Sequence, residues 1–319
     1  CLICNAEAAR ERLRNLMDTD PADPIAVLRV ARVSNREEGL ALCHKAIELA
    51  PWLADAYVAL GLRVVAAHGV EEGKAAYEQA VALDPNNATA LWGWAVAHVI
   101  AGELGEAETR HLAALQIDPE MVSAIEGMVA ATYRLGDAEA CRRWCARGLS
   151  VGPDSTLWYT FLGHLLRDEG DLSGAIEQHE RALTINPDDF ICRLHLADAL
   201  AAAGRCEVAE QHYREGLRVR PEFVSMRLGL AKVLAEQQKH EFAEAEFMKL
   251  VDAEGFAPEA YRGLAHVYMA TGRYDDARAA AKSALDIVPG DPDTWAVLWE
   301  IEQAEKAAQA NVIRRREEA

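Results

Sequence analysis

Six prolines, Pro51, Pro85, Pro119, Pro153, Pro187 and Pro221, stand 34 residues apart, each from the next. A seventh, Pro289, lies two periods beyond Pro221, and Gly255 occupies the skipped slot. Proline lacks a backbone N–H and clashes with the preceding turn, so it ends a helix rather than continuing one. In Leu83-Asp84-Pro85 and Ile185-Asn186-Pro187 it follows residues that themselves favour turns. A stop signal at fixed spacing means one structural unit used repeatedly, each copy burying its apolar face against the next.

Each period carries two helical patterns. In residues 54–87, Tyr57, Leu60, Gly61 and Val64 follow the spacing of one helix face; the chain breaks near Gly69, and Gly73, Tyr77 and Ala80 mark a second helix before Pro85. Residues 156–189 repeat this with Tyr159, Leu162, Gly163 and Leu166, a turn at Gly170-Asp171, then Ala175, His179, Ala182 and Pro187. Residues 258–291 give Tyr261, Leu264, Ala265, Tyr268, Gly272, Ala277, Ala281, Ala284 and Pro289. Small residues recur where two helices must approach closely.

This pattern resembles the tetratricopeptide-repeat consensus of a large residue, Leu-Gly, Tyr, Ala, a large residue, Ala and Pro. The resemblance covers nearly the whole chain, with seven repeats in register at 54–87, 88–121, 122–155, 156–189, 190–223, 224–257 and 258–291. It implies an all-α fold, a right-handed superhelical solenoid of antiparallel helix hairpins whose concave face is lined mainly by the first helix of each pair. Residues 22–53 read as a shortened repeat, and residues 1–21 as the second helix of an incomplete one, with Ala9, Leu13, Leu16 and Pro21 in its slots. A helix over 5–17 is expected, its apolar edge including Leu2 and Ile3, in a gene that continues upstream. Residues 292–319 read as a capping helix and polar tail, with Trp295, Leu298 and Trp299 as its apolar face. Two departures stand out: Cys141 and Cys145 replace Ala and a large residue, and residues 224–257 lack the closing proline, which predicts a bend near Gly255-Phe256.

Composition narrows the function. The net charge is −18, from 51 acidic against 33 basic residues, which argues against a nucleic-acid partner, because phosphate contacts need clustered Lys and Arg. No stretch is apolar and long enough to insert in a bilayer, and no cleavable leader is visible. Seven cysteines at irregular spacing point to a reducing, cytoplasmic compartment rather than a disulfide framework. Cys1-x-x-Cys4 lacks a second ligand pair, so no metal and no cofactor is expected. Cys43, Cys141 and Cys145 share packing slots, and free Cys behaves there as a small hydrophobe. His111 and His179 take the slot of Tyr77 and Tyr213 and read as core.

Two stretches of the first helices are candidates for contact with a partner. In the polar one, Glu126, Tyr133, Arg134, His164, Arg167, Asp198 and Lys232 should line the middle of the concave face, mostly accessible to solvent. An acid–base site there is disfavoured, because an open groove would shift the pKa values of these groups little. Some family members clamp a peptide's terminal carboxylate with Lys, Asn and Arg. The corresponding positions here, Leu62, Val96, Ala130 and His164, contain no Asn, so that activity is not carried over. In the apolar stretch, helices 54–67 and 88–101 are hydrophobic nearly all round. Leu91, Trp94, Ala95 and His98 take the packing slots of the second, leaving Trp92, Val96 and Val99 for the groove beside Val58, Leu62 and Val65. Such a patch marks an interface, and Trp commonly anchors one.

The sequence therefore predicts a non-catalytic interaction scaffold that binds a peptide, helix or partner protein in its groove. The alternative is the recruiting arm of a larger enzyme such as a glycosyltransferase or sulfotransferase. Self-association through the solenoid's surfaces is a third reading.

Overall fold

The computed structural model describes residues 19–311 except 68 and 254, together with 11, 15 and 17 and the backbone of 312–317. Of the helix expected over 5–17 only residues 11, 15 and 17 are described, all three helical, and the edge at Leu2 and Ile3 and the Cys1–Cys4 pair fall outside the described residues. Among the described residues all regular structure is helical, in seventeen elements. They are α1 (Pro24–Val33), α2 (Arg36–Leu49), α3 (Ala54–Ala66), α4 (Val70–Leu83), α5 (Ala88–Ala101), α6 (Leu104–Ile117), α7 (Val122–Arg134), α8 (Ala138–Val151) and α9 (Thr156–Asp168). Then follow α10 (Leu172–Ile185), α11 (Phe190–Ala202), α12 (Cys206–Val219), α13 (Val224–Glu236), α14 (His240–Met248), α15 (Ala257–Ala270), α16 (Tyr274–Ile287) and α17 (Pro292–Glu317). The chain divides into two compact units, residues 1–161 and 162–319, with the division inside α9. Each is a stack of helix hairpins.

The hairpin turn is set by a backbone conformation. Gly102, Gly136, Gly170, Gly204 and Gly272 follow the first helices with φ between +74° and +84°, the left-handed region that glycine enters without a Cβ penalty. The amide one residue later donates back across the last turn, as in Glu103 to His98, Asp171 to Leu166 and Arg205 to Leu200. These glycines are spaced by one repeat or two, and Gln238 fills the one vacancy between Gly204 and Gly272, at φ 60°. At the other end, Asn87, Asp137, Asp171 and Asp189 cap helix N-termini with side-chain oxygens that accept backbone N–H bonds.

Packing within and between hairpins is a ring-on-glycine device. The Tyr77 ring on α4 lies where a Cβ on Gly61 or Gly93 would stand, 2.4–2.9 Å away at its nearest atoms. His111 meets Gly127, His179 meets Gly163, Tyr213 meets Gly229 and Phe247 meets Gly263 in the same way. His111 and His179 are fully buried, as their slot implied. Cys43, Cys141 and Cys145 are buried as well. Cys145 leaves its ring slot without a ring, and Trp158 packs from the following helix onto Gly148 of the same repeat, as Met226 does onto Gly216. Trp158 is fully buried there, and its indole N–H donates to the Gly152 carbonyl at 2.7 Å.

In the second unit one continuous core runs from Ala175 to Ile301. The missing proline of residues 224–257 coincides with a shortened second helix, α14, of nine residues where the others have fourteen. Leu250 beyond it still packs into the core. The capping helix corrects one expectation: α17 buries Thr294, Val297 and Ile301, with Leu298 half-buried, whereas Trp295 and Trp299 are 56% and 63% exposed. The helical phase puts those two indoles on the flank that a paired second helix would cover.

Candidate functional site

In the first unit, Leu91, Ala95 and His98 on α5 are buried, and Trp92, Val96 and Val99 on the same helix are half-buried. Trp94 is also half-buried, beneath the Arg110 guanidinium at 4.2 Å. On α3, Leu62 is 43% exposed and borders a cleft of about 580 Å³ lined also by Arg32, Asp55, Ala59, Ala66 and Thr89. Two residues expected in the groove do more packing than lining. Val58 is 3% exposed and belongs to the cluster around Tyr77 and Ala90, although it reaches the cleft wall. Val65 sits in the seam of its own hairpin, against Gly73 of α4, because glycine there lets the two helices close over a β-branched side chain. Arg63 is also structural: its guanidinium bonds the carbonyls of Ala31, Ser34 and Asn35, satisfying the C-terminal end of α1.

The polar candidates divide between the units. In the first, Glu126 is half-buried on α7; burial pushes its carboxyl above the usual range, and the Ser155 hydroxyl donates to it at 3.5 Å. Tyr133 meets Phe161 edge to face at 5.3 Å, and Arg134 is exposed. In the second unit, Arg167 pairs with Asp168 at 3.1 Å, Asp198 accepts from the Tyr213 hydroxyl at 2.6 Å, and Lys232 pairs with Glu259. Of the seven residues only Arg134 and Lys232 are well exposed; the expectation of mostly accessible side chains holds for those two alone.

His164 departs furthest from expectation. Its ring lies 4.3 Å from that of His195 and 5.5 Å from that of His179, and His179 and His195 are 5.8 Å apart. Burial, with the positive field of His195 and Arg167, lowers His164 to about 4. His179 falls to about 3 for the same principal reason, loss of solvent, and His195 is lowered too. An open groove would shift these values little, but the His164 side chain leans into the hairpin seam, against His179, instead of into the groove.

Along α11, α13 and α15 a second depression opens. A cleft of about 380 Å³ is lined by Leu194, Asp198, Leu228, Lys232, Glu236 and Phe256, among others. It shares Lys232 and Glu236 with a neighbouring cleft of about 280 Å³ that reaches Glu259, Arg262 and His266. Among the described residues no group of three or more His, Cys, Asp or Glu is arranged to hold a metal ion, and no helix is long and apolar enough to cross a membrane.

Models of the tetratricopeptide repeat match residues 58–121, 166–221, 194–258 and 258–301. The chain belongs to the tetratricopeptide-repeat family. Solved structures agree on the fold. The Cut9 and Hcn1 hetero-tetramer of the APC/C matches with a TM-score of 0.66 at 15% identity, over 92% of this chain and 58% of that one. Yeast Tom70 matches with a TM-score of 0.58 at 17% identity, over 84% of this chain and 59% of its own. PilF of Pseudomonas aeruginosa matches with a TM-score of 0.57 at 20% identity, over 63% of this chain and 91% of its own. The chain thus spans under two thirds of the length of the first and of Tom70. No curated protein matches it in sequence.

Within the tetratricopeptide register the histidine trio has a sequence signal of its own. Gly93, Gly127, Gly229 and Gly263 each stand sixteen residues after the ring that packs on them, namely Tyr77, His111, Tyr213 and Phe247. Sixteen residues after His179 stands His195. The trio is therefore the one ring slot described here in which the usual glycine is replaced by a second ring. Nothing in the sequence pattern marks Glu236, Arg262 and His266; only the clefts single them out.

Proposed function

We propose that this protein is an interaction scaffold whose first unit takes the apolar face of a partner helix, or an extended hydrophobic peptide, on Leu62, Trp92, Val96 and Val99. The repeat fold is of a kind that generally serves protein binding and is typically non-catalytic. The observation that carries the reading is the incomplete burial of Trp92, Val96 and Val99 on α5, a helix that also leaves Ile100 exposed, together with a cleft of about 580 Å³ that has Leu62 on its wall and reaches α5 at Thr89. Large apolar side chains left half in water stabilise a complex when they are covered, and indoles contribute most per residue. The polar positions of this unit, Glu126, Tyr133 and Arg134, supply orientation and salt dependence rather than bulk affinity. The Cut9 and Hcn1 structure, a hetero-tetramer by its description, is an assembly of the kind this reading expects.

The test is the double variant Trp92→Ala, Val96→Ser. Proteins captured by the wild type and identified by mass spectrometry should be lost with the double variant, while its helical circular dichroism and melting curve stay close to the wild type's. Unchanged capture overturns the reading. Unfolding of the variant assigns the patch to the core.

A further inference from the structure

We propose that the cleft along α11 and α13 in the second unit seats a basic side chain, an arginine or lysine, of a partner polypeptide. The walls supplied by Leu194, Ala201, Leu228, Val233 and Phe256 are apolar and suit the aliphatic stem of such a side chain. The polar groups on the same walls are unevenly matched. Lys232 is held by Glu259, and Arg262 in the adjoining cleft is held by Asp291, so the two cations of this groove are already neutralised from within. The carboxylates of Asp198 and Glu236 are not. Asp198 accepts one hydrogen bond from the Tyr213 phenol at 2.6 Å, and Glu236 accepts one from the Cys206 thiol at 3.2 Å. Among the described residues neither has a cationic partner.

Each carboxylate accepts along several lone-pair directions, so one neutral donor leaves acceptor capacity on both. The Tyr213 hydroxyl, fixed because its ring is buried against Gly229, also holds Asp198 in one orientation at the cleft wall. An oriented carboxylate, Asp198, and a solvent-facing one, Glu236, over an apolar floor complement a guanidinium or ammonium on a methylene stem, and charge-assisted bonds to them are the stronger class. The adjoining cleft, with Glu259 and His266, extends the path along which the partner's backbone would continue. This surface is separate from the apolar patch of the first unit, and the two proposals stand or fall independently.

The probe is a fluorescein-labelled alanine-rich peptide bearing two arginines, with the same peptide carrying citrulline as its neutral isostere, both titrated onto the full chain by fluorescence anisotropy. The arginine peptide should bind and the citrulline peptide should not. Asp198→Asn and Glu236→Gln, which keep shape, should each weaken binding about tenfold, the loss of one charge-assisted bond. A control pair, Glu222→Gln with Glu241→Gln, makes the same change in net charge outside the cleft and should leave binding unchanged. Equal binding of arginine and citrulline peptides overturns the proposal, as does wild-type affinity in the Asp198→Asn, Glu236→Gln double variant. Equal weakening by the control pair overturns it too, since it assigns the binding to the chain's diffuse negative charge. None of these results touches Trp92 or Val96, so failure here leaves the first unit's reading intact.

Discussion

Mild acid should unfold this protein through its buried histidines before its carboxylates titrate. His111 and His179 are fully buried, and no hydrogen-bond partner meets either nitrogen of either ring. Loss of solvent holds them at about 4 and about 3, against an ordinary 6.5. A folded-state value below the unfolded one means that the unfolded chain binds the proton more tightly. The stability these rings contribute is therefore complete above about pH 6.5 and is lost as the pH falls from there toward their folded values. Over that window each ring removes about 1.4 kcal/mol per pH unit, so at about pH 5 each has removed about 2 kcal/mol. His164, at about 4 in the folded chain, adds a comparable amount. The three together approach about 6 kcal/mol, a large part of the 5–15 kcal/mol that roughly bounds a folded domain. Glu126, whose carboxyl is raised, acts in the opposite direction. Urea unfolding followed by circular dichroism at neutral pH and about pH 5 measures the loss, and His179→Phe removes one ring's proton coupling while keeping an aromatic in its slot. The variant's stability should depend less steeply on pH, by about one proton. A His179→Phe protein with the wild-type slope would refute the burial argument.

Gln238 occupies a left-handed turn that glycine fills in the neighbouring hairpins, so Gln238→Gly should stabilise the second unit by about 1 kcal/mol in urea unfolding. Gly93→Ala drives a methyl group onto the Tyr77 ring and should cost about 1–3 kcal/mol. Gly105→Ala, with nothing within 4 Å of the new carbon, should instead stabilise α6 by about 0.5–1 kcal/mol; opposite signs for one substitution separate packing from propensity. Trp158→Ala empties the fully buried space against Gly148 and should cost about 3–5 kcal/mol, read as a lowered melting temperature.

The 34-residue period, the helix stops and the ring slots were all legible in the chain because they are local or strictly periodic. A proline, a capping Asp or a small residue opposite a ring acts on neighbours at fixed sequence distance, and repetition multiplies the signal. Even the His179–His195 contact obeys a sixteen-residue rule, although it emerges only once Gly93, Gly127 and their counterparts are seen under their rings.

Which face of a first helix remains open could not be read in the same way. In α5 nearly every position is apolar, so the period that separates a wet face from a dry one is lost, and in α3 only Asp55 and Arg63 break an apolar run. Val58, Leu62 and Val65 are chemically alike in the sequence, yet one is in the core, one is exposed and one is held in a hairpin seam. Trp295 and Trp299 read as part of the apolar face of α17 and are exposed, because burial on α17 is decided by the hairpin it caps. The sequence by itself determined the repeat, its helices and its turns, since these depend on backbone conformation and contacts at fixed separation. Only the tertiary structure decided which apolar and charged side chains are left for a partner, since exposure is set by how closely each neighbouring helix approaches, and that distance depends on side chains from three helices at once.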